Sequence, residues 1–295
     1  MSGYYFLMDV GGTTIKVNCL NEKREPLFIT NREFPARSQA DKATILTNFQ
    51  HIMISINQEI MAQGYELLGV GVAFPGPFNY QEGYSLMKGM RKYDDIYRVN
   101  LKALIKEWLV SYFQLEVPVV FENDATSFGL GEYDQRHSLE PGRGIYLTLG
   151  TGCGSAFIAA GQLVHGYGLN DQGMLYDSPF KESRIDDYLS ANGLRLLSEM
   201  YYQEPLTGYQ LFLKSEQGEA EALQVFAEFG QWIVEALEPF VDRFKPDELV
   251  FGGEISASLP YFYPALVKFG DLAIRKSQNT SLATLQGLTT LLQTR

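Results

Sequence analysis

The stretch from Tyr4 to Leu20, YYFLMDVGGTTIKVNCL, decides the fold. Tyr4 to Val10 is an aromatic and aliphatic run interrupted only by Asp9. Gly11, Gly12, Thr13 and Thr14 follow, and Ile15 to Leu20 then alternates apolar and polar residues. That order predicts strand, tight turn, strand. About 140 residues later the same grammar returns: Ile145 to Leu149, then Gly150, Thr151, Gly152, Cys153 and Gly154, then Ser155 to Ala160. Duplication of a whole α/β unit leaves such a trace, although glycine-turned hairpins also recur by chance.

Between and beyond the two copies, the periodicity places other elements. From Asp41, the residues Ile45, Leu46, Phe49, Ile52, Met53, Ile56 and Ile60 fall on one face of a helix. Leu67 to Phe74 and Val117 to Phe121 read as buried strands, the second ended by Glu122, Asn123 and Asp124 and followed by a short helix over Ala125 to Glu132. Glu219 to Phe244 is a long amphipathic helix, Leu249 to Phe251 a short strand entering Gly252 and Gly253, and Ser281 to Leu292 a last helix.

A chain of 295 residues exceeds the size at which one core stops growing, so two domains are expected. The composition, 45% hydrophobic and 20% charged, is that of a globular protein. A net charge of −11 without a dense Lys/Arg run argues against nucleic acid as a partner, because binding the phosphate backbone needs a basic surface. A core strand beginning within a few residues of Met1 leaves no room for a signal peptide, and no apolar run approaches the roughly 20 residues that span a bilayer. The expectation is a soluble cytoplasmic protein without a membrane partner. Cys19 and Cys153 lie in separate strands and match no metal spacing, which predicts two reduced thiols.

Glycine-rich turns after buried strands let backbone N–H groups converge on phosphate oxygens. Two such turns facing one another would cradle a nucleotide. Neither continues into Gly-Lys-Ser/Thr, and neither opens a helix as a dinucleotide fingerprint does. Asp9 ends the first strand, where it could hold a metal-bound water; Thr13 and Thr14 add hydroxyls, and Lys16 adds only nearby charge. Phosphoryl transfer to a hydroxyl needs a carboxylate to accept the proton. Asp124, at a strand end and a helix start, is placed for that work, and equally for the local work of an N-cap.

In their order and spacing, Asp9-Val-Gly-Gly-Thr-Thr, Phe74-Pro-Gly-Pro, Glu122-Asn-Asp-Ala, Leu149-Gly-Thr-Gly-Cys-Gly and Phe251-Gly-Gly-Glu resemble the ROK family of sugar kinases and sugar-responsive repressors. The resemblance implies a two-domain, actin-like ATPase (ribonuclease H-like) fold. Its expected domains are 1–122, joined by a C-terminal helix over 280–295, and 123–279. It implies ATP and Mg²⁺ held by Asp9, Gly11, Gly12, Thr13, Thr14, Gly150, Thr151, Gly152, Gly154, Gly252 and Gly253, with Asp9 toward the metal. Gly76, Asn123, Asp124, Asp171 and Asp186 are implied as sugar contacts, Asp124 as general base, and a homodimer as the assembly. ROK repressors carry a winged helix ahead of the first motif, so the position of Asp9 favours the kinase branch.

Several positions depart from the family pattern. Asp171-Gln-Gly-Met stands where Glu-x-Gly-His is usual, Asp186 where a second Glu is usual, and the cysteine loop between them is absent, so no tetrahedral zinc site is expected. His51, His137 and His165 are scattered, and His51 is expected on the surface of its helix. The customary Asn has no counterpart in Met87 to Tyr93, where Lys88, Arg91 and Lys92 cluster instead; these are read either as a solvated loop or as a contact for an anionic sugar. The leading expectation is ATP-dependent phosphorylation of a hexose or hexose derivative at its 6-position. The alternatives are a non-catalytic sugar sensor and a kinase of a non-sugar hydroxyl substrate.

Overall fold

In a computed structural model describing residues 2–137 and 141–294, apart from the side chain of His137, the opening stretch folds as the hairpin of β1 (Gly3–Val10) and β2 (Thr14–Asn21). Val10 pairs with Ile15 across the turn and Asp9 with Lys16. The chain divides into two compact units, residues 1–131 with 281–295, and residues 132–280.

The first unit continues through β3 (Arg32–Pro35), α1 (Lys42–Ala62), β4 (Glu66–Ala73), the two-residue strands β5 (Phe78–Asn79) and β6 (Tyr84–Ser85), α2 (Leu101–Phe113), β7 (Val119–Glu122) and the start of α3 (Asp124–His137). Its sheet has the order β3-β2-β1-β4-β7, antiparallel in the first two pairings and parallel in the last two. Register matters here. Asp9 lies opposite Ala73, and Ala73 opposite Glu122, so β1, β4 and β7 end level with one another. Asp9 and Asp124 therefore emerge at one sheet edge, the carboxyl end of parallel strands where α/β proteins bind their ligands. The apolar stripe of α1 is buried, Ile45, Phe49, Ile52, Met53, Ile56 and Ile60 all facing the sheet, and Asp41 caps the helix by accepting from the Thr44 N–H.

The second unit runs through β8 (Arg143–Leu149), β9 (Cys153–Ala159), β10 (Gln162–Leu163), the short pair β11 (Pro179–Phe180) and β12 (Ser183–Arg184), α4 (Ile185–Tyr188), α5 (Ala191–Tyr202), α6 (Gly208–Glu216), α7 (Ala220–Phe244), β13 (Glu248–Gly252), α8 (Leu259–Leu266) and β14 (Ala273–Lys276). Its sheet, β10-β9-β8-β13-β14, repeats the first: two antiparallel pairings followed by two parallel ones. The internal echo in the sequence is thus a repeat of topology. Helix α7 supplies much of this core through Phe226, Phe229, Ile233, Leu237 and Phe244. A buried polar cluster also belongs here: Arg275 bridges Glu132 and Glu248, the Tyr146 hydroxyl donates to Glu248, and Ser277 donates to Glu132. Each buried carboxylate is matched by a cation or a donor, as desolvated charge requires.

Helix α9 (Thr280–Gln293) completes the first unit. Leu285, Leu288 and Leu292 cover the sheet face made by Tyr5, Leu7, Leu20, Ala73 and Val120. Where α9 crosses α3 the backbones touch: a Cβ on Gly287 would lie 1.9 Å from the Ser127 carbonyl oxygen, and one on Gly131 would lie 1.9 Å from that of Ala283. Only glycine fits at either position. No described helix is long and apolar enough to cross a membrane.

Candidate active site

The first turn is held from three sides. The Gly11 N–H donates to the Thr14 carbonyl at 2.9 Å, closing the turn, and a Cβ on Gly11 would press to 2.9 Å against that oxygen. The Tyr93 hydroxyl donates to the Gly11 carbonyl at 2.8 Å, the Ser38 hydroxyl to that of Gly12 at 2.5 Å, and the Ala36 N–H to that of Thr13 at 2.8 Å. In a trans peptide the N–H points opposite the carbonyl. Tying back three consecutive carbonyls therefore turns the next N–H groups the other way, and Gly12 and Thr13 are exposed there. Backbone dipoles so arranged are suited to an anion.

Asp124 is the first residue of α3 and is exposed, but it is not the cap. Asn123 does that work: its side-chain oxygen accepts from the Ala125 N–H at 2.9 Å and the Thr126 N–H at 3.2 Å. The Asp124 carboxyl is therefore not the principal acceptor at the start of α3. Although it reaches solvent, the protein ranged around it raises its pKa by desolvation; the Ala125 N–H, the charge of Lys92 and the Asn123 amide draw it partly back. Asp9, partly buried, is pushed to about 7, first by desolvation and then by the negative charge of Asp124, with Lys16 opposing. Two carboxyls at one sheet edge thus share an electrostatic environment that disfavours charging both.

The second turn is built in the same manner from different parts. The Gly150 N–H donates to the Gly152 carbonyl at 3.0 Å, and the Gly150 carbonyl accepts from the Ala191 N–H at 2.8 Å. Thr151 is exposed and Gly154 partly so. Gly253 closes on this turn with φ of 80°, a Cβ there falling 2.3 Å from the Leu149 oxygen, so only glycine can follow Gly252 at the end of β13. Asp186 accepts from the Cys153 N–H at 2.7 Å, and a Cβ on Gly152 would stand 2.9 Å from the same carboxylate oxygen.

Residues 5–286 match the ROK family. The chain belongs to the ROK family. It is 24% identical over 280 residues to a glucokinase of Halalkalibacterium halodurans, covering 86% of this chain and 81% of that protein. It is 25% identical over 285 residues to an N-acetyl-D-glucosamine kinase of Haemophilus influenzae, covering 90% and 88%. Among solved structures, the ROK family glucokinase of Streptomyces griseus in complex with glucose and AMPPNP superposes with a TM-score of 0.69 at 19% identity, over 99% of this chain and 100% of that one. The fold is the actin-like ATPase fold of the ROK sugar kinases.

Within this ROK chain, the structure brings Gly76 and Asn123 together through one side chain that the sequence did not single out. The Tyr80 hydroxyl donates to the Phe74 carbonyl at 3.0 Å, accepts from the Asn123 amide at 3.3 Å, and lies 3.4 Å from where a Gly76 Cβ would be. Tyr93 and Ser38 were also missed, since nothing local marks residues that close a turn from 82 and 26 positions away. In the second unit, Asp171 is exposed on the loop whose Asn170 side chain accepts from the Gln172 and Met174 N–H groups, and Met174 is buried. His51 is exposed on α1, and Cys19 and Cys153 are buried free thiols. No group of three or more His, Cys, Asp or Glu side chains is placed to hold a metal among the described residues. A lone carboxylate such as Asp9 still fits Mg²⁺, which binds through one or two carboxylates together with substrate phosphates and water.

The Asp9 environment sets a pH dependence. An acid whose folded pKa, about 7, exceeds its ordinary 3.8 holds its proton more tightly in the folded chain. Its stabilising effect is complete below about pH 4 and is lost as pH rises through 7. Asp9→Asn is expected to raise Tm more at pH 8 than at pH 4.5. Equal shifts at both pH values in thermal melts would show that Asp9 is not perturbed.

Proposed function

We propose that this protein phosphorylates a sugar hydroxyl, the 6-hydroxyl of a hexose or hexose derivative, with ATP as donor and Asp124 as general base. One observation carries the reading. Asp124 is an exposed carboxyl with raised pKa, relieved of capping by Asn123 and set at the same sheet edge as Asp9 and the first turn. A base with elevated pKa works nearer to operating pH than an ordinary carboxylate. Membership of the ROK family and likeness to glucokinases and N-acetylglucosamine kinases support a sugar as acceptor.

In this reading the exposed Gly12 and Thr13 peptides bind terminal phosphate oxygens, and Thr151 and Gly152 supply donors of the same kind from the second turn. Asp9 would hold Mg²⁺ through water; the ion, when bound, neutralises phosphate charge. The sugar oxygen forms a bond to the γ-phosphorus as the bond to the ADP oxygen breaks, and Asp124 takes the hydroxyl proton. Gly76 and Asn123 border the acceptor, joined through Tyr80, and Asp171 contributes from its exposed loop. Asp186 is engaged by the Cys153 N–H, so its role in sugar reading is shared with holding the second turn.

The test is ADP release with Mg-ATP across a panel of hexoses, N-acetylhexosamines and β-glucosides. Sugar-dependent turnover is expected for at least one. A chain that binds sugar with no ADP release is the sensor alternative, and turnover on polyols alone is the non-sugar kinase; either result overturns the proposal.

A further inference from the structure

Resting on the kinase reading, we propose that Lys92 is a further catalytic residue whose ammonium group meets the transferring γ-phosphoryl group. The loop carrying Lys92 is fastened to the first turn. Tyr93, fully buried, donates from its N–H to the Ser38 carbonyl at 2.6 Å and from its hydroxyl to the Gly11 carbonyl, while Ser38 in turn donates to Gly12. Arg91 and Tyr93, on either side of Lys92, hold φ of 58° and 57°, a left-handed conformation that costs non-glycine residues energy and persists where surroundings enforce it. The outcome is a half-buried Lys92 chain laid over the turn, its Cδ 3.4 Å from where a Gly12 Cβ would lie.

Two other cations of this segment are engaged by one aromatic ring. Lys88 and Arg98 both stand over the Tyr97 ring, at 5.5 and 5.4 Å, and Arg91 is exposed. Lys92 forms no ion pair among the described residues, yet its charge is felt at Asp124. A phosphoryl group passing from the turn to a hydroxyl held by Asp124 must lie beside both. Lys92 has both as neighbours, and a compact ammonium on a flexible stem suits a phosphoryl oxygen there.

Binding of ATP and of ADP, each with Mg²⁺, to wild type, Lys92→Met and Lys92→Arg by calorimetry separates the possibilities. A charge-assisted contact to the γ-phosphoryl alone predicts about tenfold weaker ATP binding in Lys92→Met, unchanged ADP binding, and partial recovery in Lys92→Arg. Unchanged ATP binding, or equal weakening of ATP and ADP, overturns the proposal while leaving the kinase reading intact. So does Lys92→Met binding both nucleotides normally but raising KM only for a phosphorylated sugar, which would make Lys92 a contact for an anionic acceptor. A wild type that binds neither nucleotide overturns both readings.

Discussion

Asp124→Asn is expected to lower turnover roughly 10²- to 10⁴-fold, the usual worth of a positioned general base, with the sugar and ATP still bound. The substitution keeps shape and polarity and removes basicity. Because Asn123 accepts the Ala125 and Thr126 N–H groups, the start of α3 does not depend on Asp124. Removing one of two mutually repelling carboxyls also relieves Asp9, so Tm should not fall and the Asp9 pKa should drop toward its ordinary value. Turnover and stability are thus expected to move independently. Near-normal turnover on an accepted sugar ends the catalytic assignment and makes Asp171 the next carboxyl to test.

Gly287→Ala should produce a large loss of stability for so conservative a change. In a helix interior with room to spare, alanine is favoured over glycine by about 1 kcal/mol, so open space predicts stabilisation. Here the added methyl would sit 1.9 Å from the Ser127 carbonyl oxygen, a backbone atom that cannot rotate away. Forcing α9 off α3 also strains the contact of Gly131 with Ala283 and lifts Leu285, Leu288 and Leu292 from the sheet. Overpacking of this kind costs about 1–3 kcal/mol, occasionally more, and about 2–4 °C of Tm follows from each kcal/mol lost in a chain of this size class. A Tm at or above wild type in a thermal melt refutes the close crossing.

Much of this fold was legible because the signals are local. The alternation in Ile15 to Leu20 and the glycine turn define β1–β2, and the repeated grammar after Ile145 defines β8–β9. The helical stripe from Asp41 matches α1, capped by Asp41 itself, and Glu219 to Phe244 corresponds to α7. The edge strands β3, β10 and β14 escaped notice, being only two to four residues long, with too few positions to show a period. The helix after Asp124 reaches His137, beyond the run to Glu132 expected, because its last residues, Tyr133 to His137, are mostly polar and show no apolar period. Among the candidate residues, the two glycine turns and the helix start at Asp124 were readable from residue type and position. What holds them was not: Tyr93, Ser38 and Tyr80 act through distant hydroxyl contacts, and the choice between Asp124 and Asn123 as cap depends on side-chain direction alone.

The place of α9 has a consequence for biosynthesis. The sheet face of Tyr5, Leu7, Leu20, Ala73 and Val120 is covered by leucines encoded 165 to 287 codons downstream. On the ribosome, β1, β2, β4 and β7 can pair early, but that apolar face stays bare until residue 292 has cleared the exit tunnel. At ordinary elongation rates of about 5–20 residues per second, the nascent chain carries it for tens of seconds, long enough for a holding chaperone to act and for aggregation to compete. Synonymous changes that slow decoding after β7 should therefore lower soluble yield without altering the finished protein.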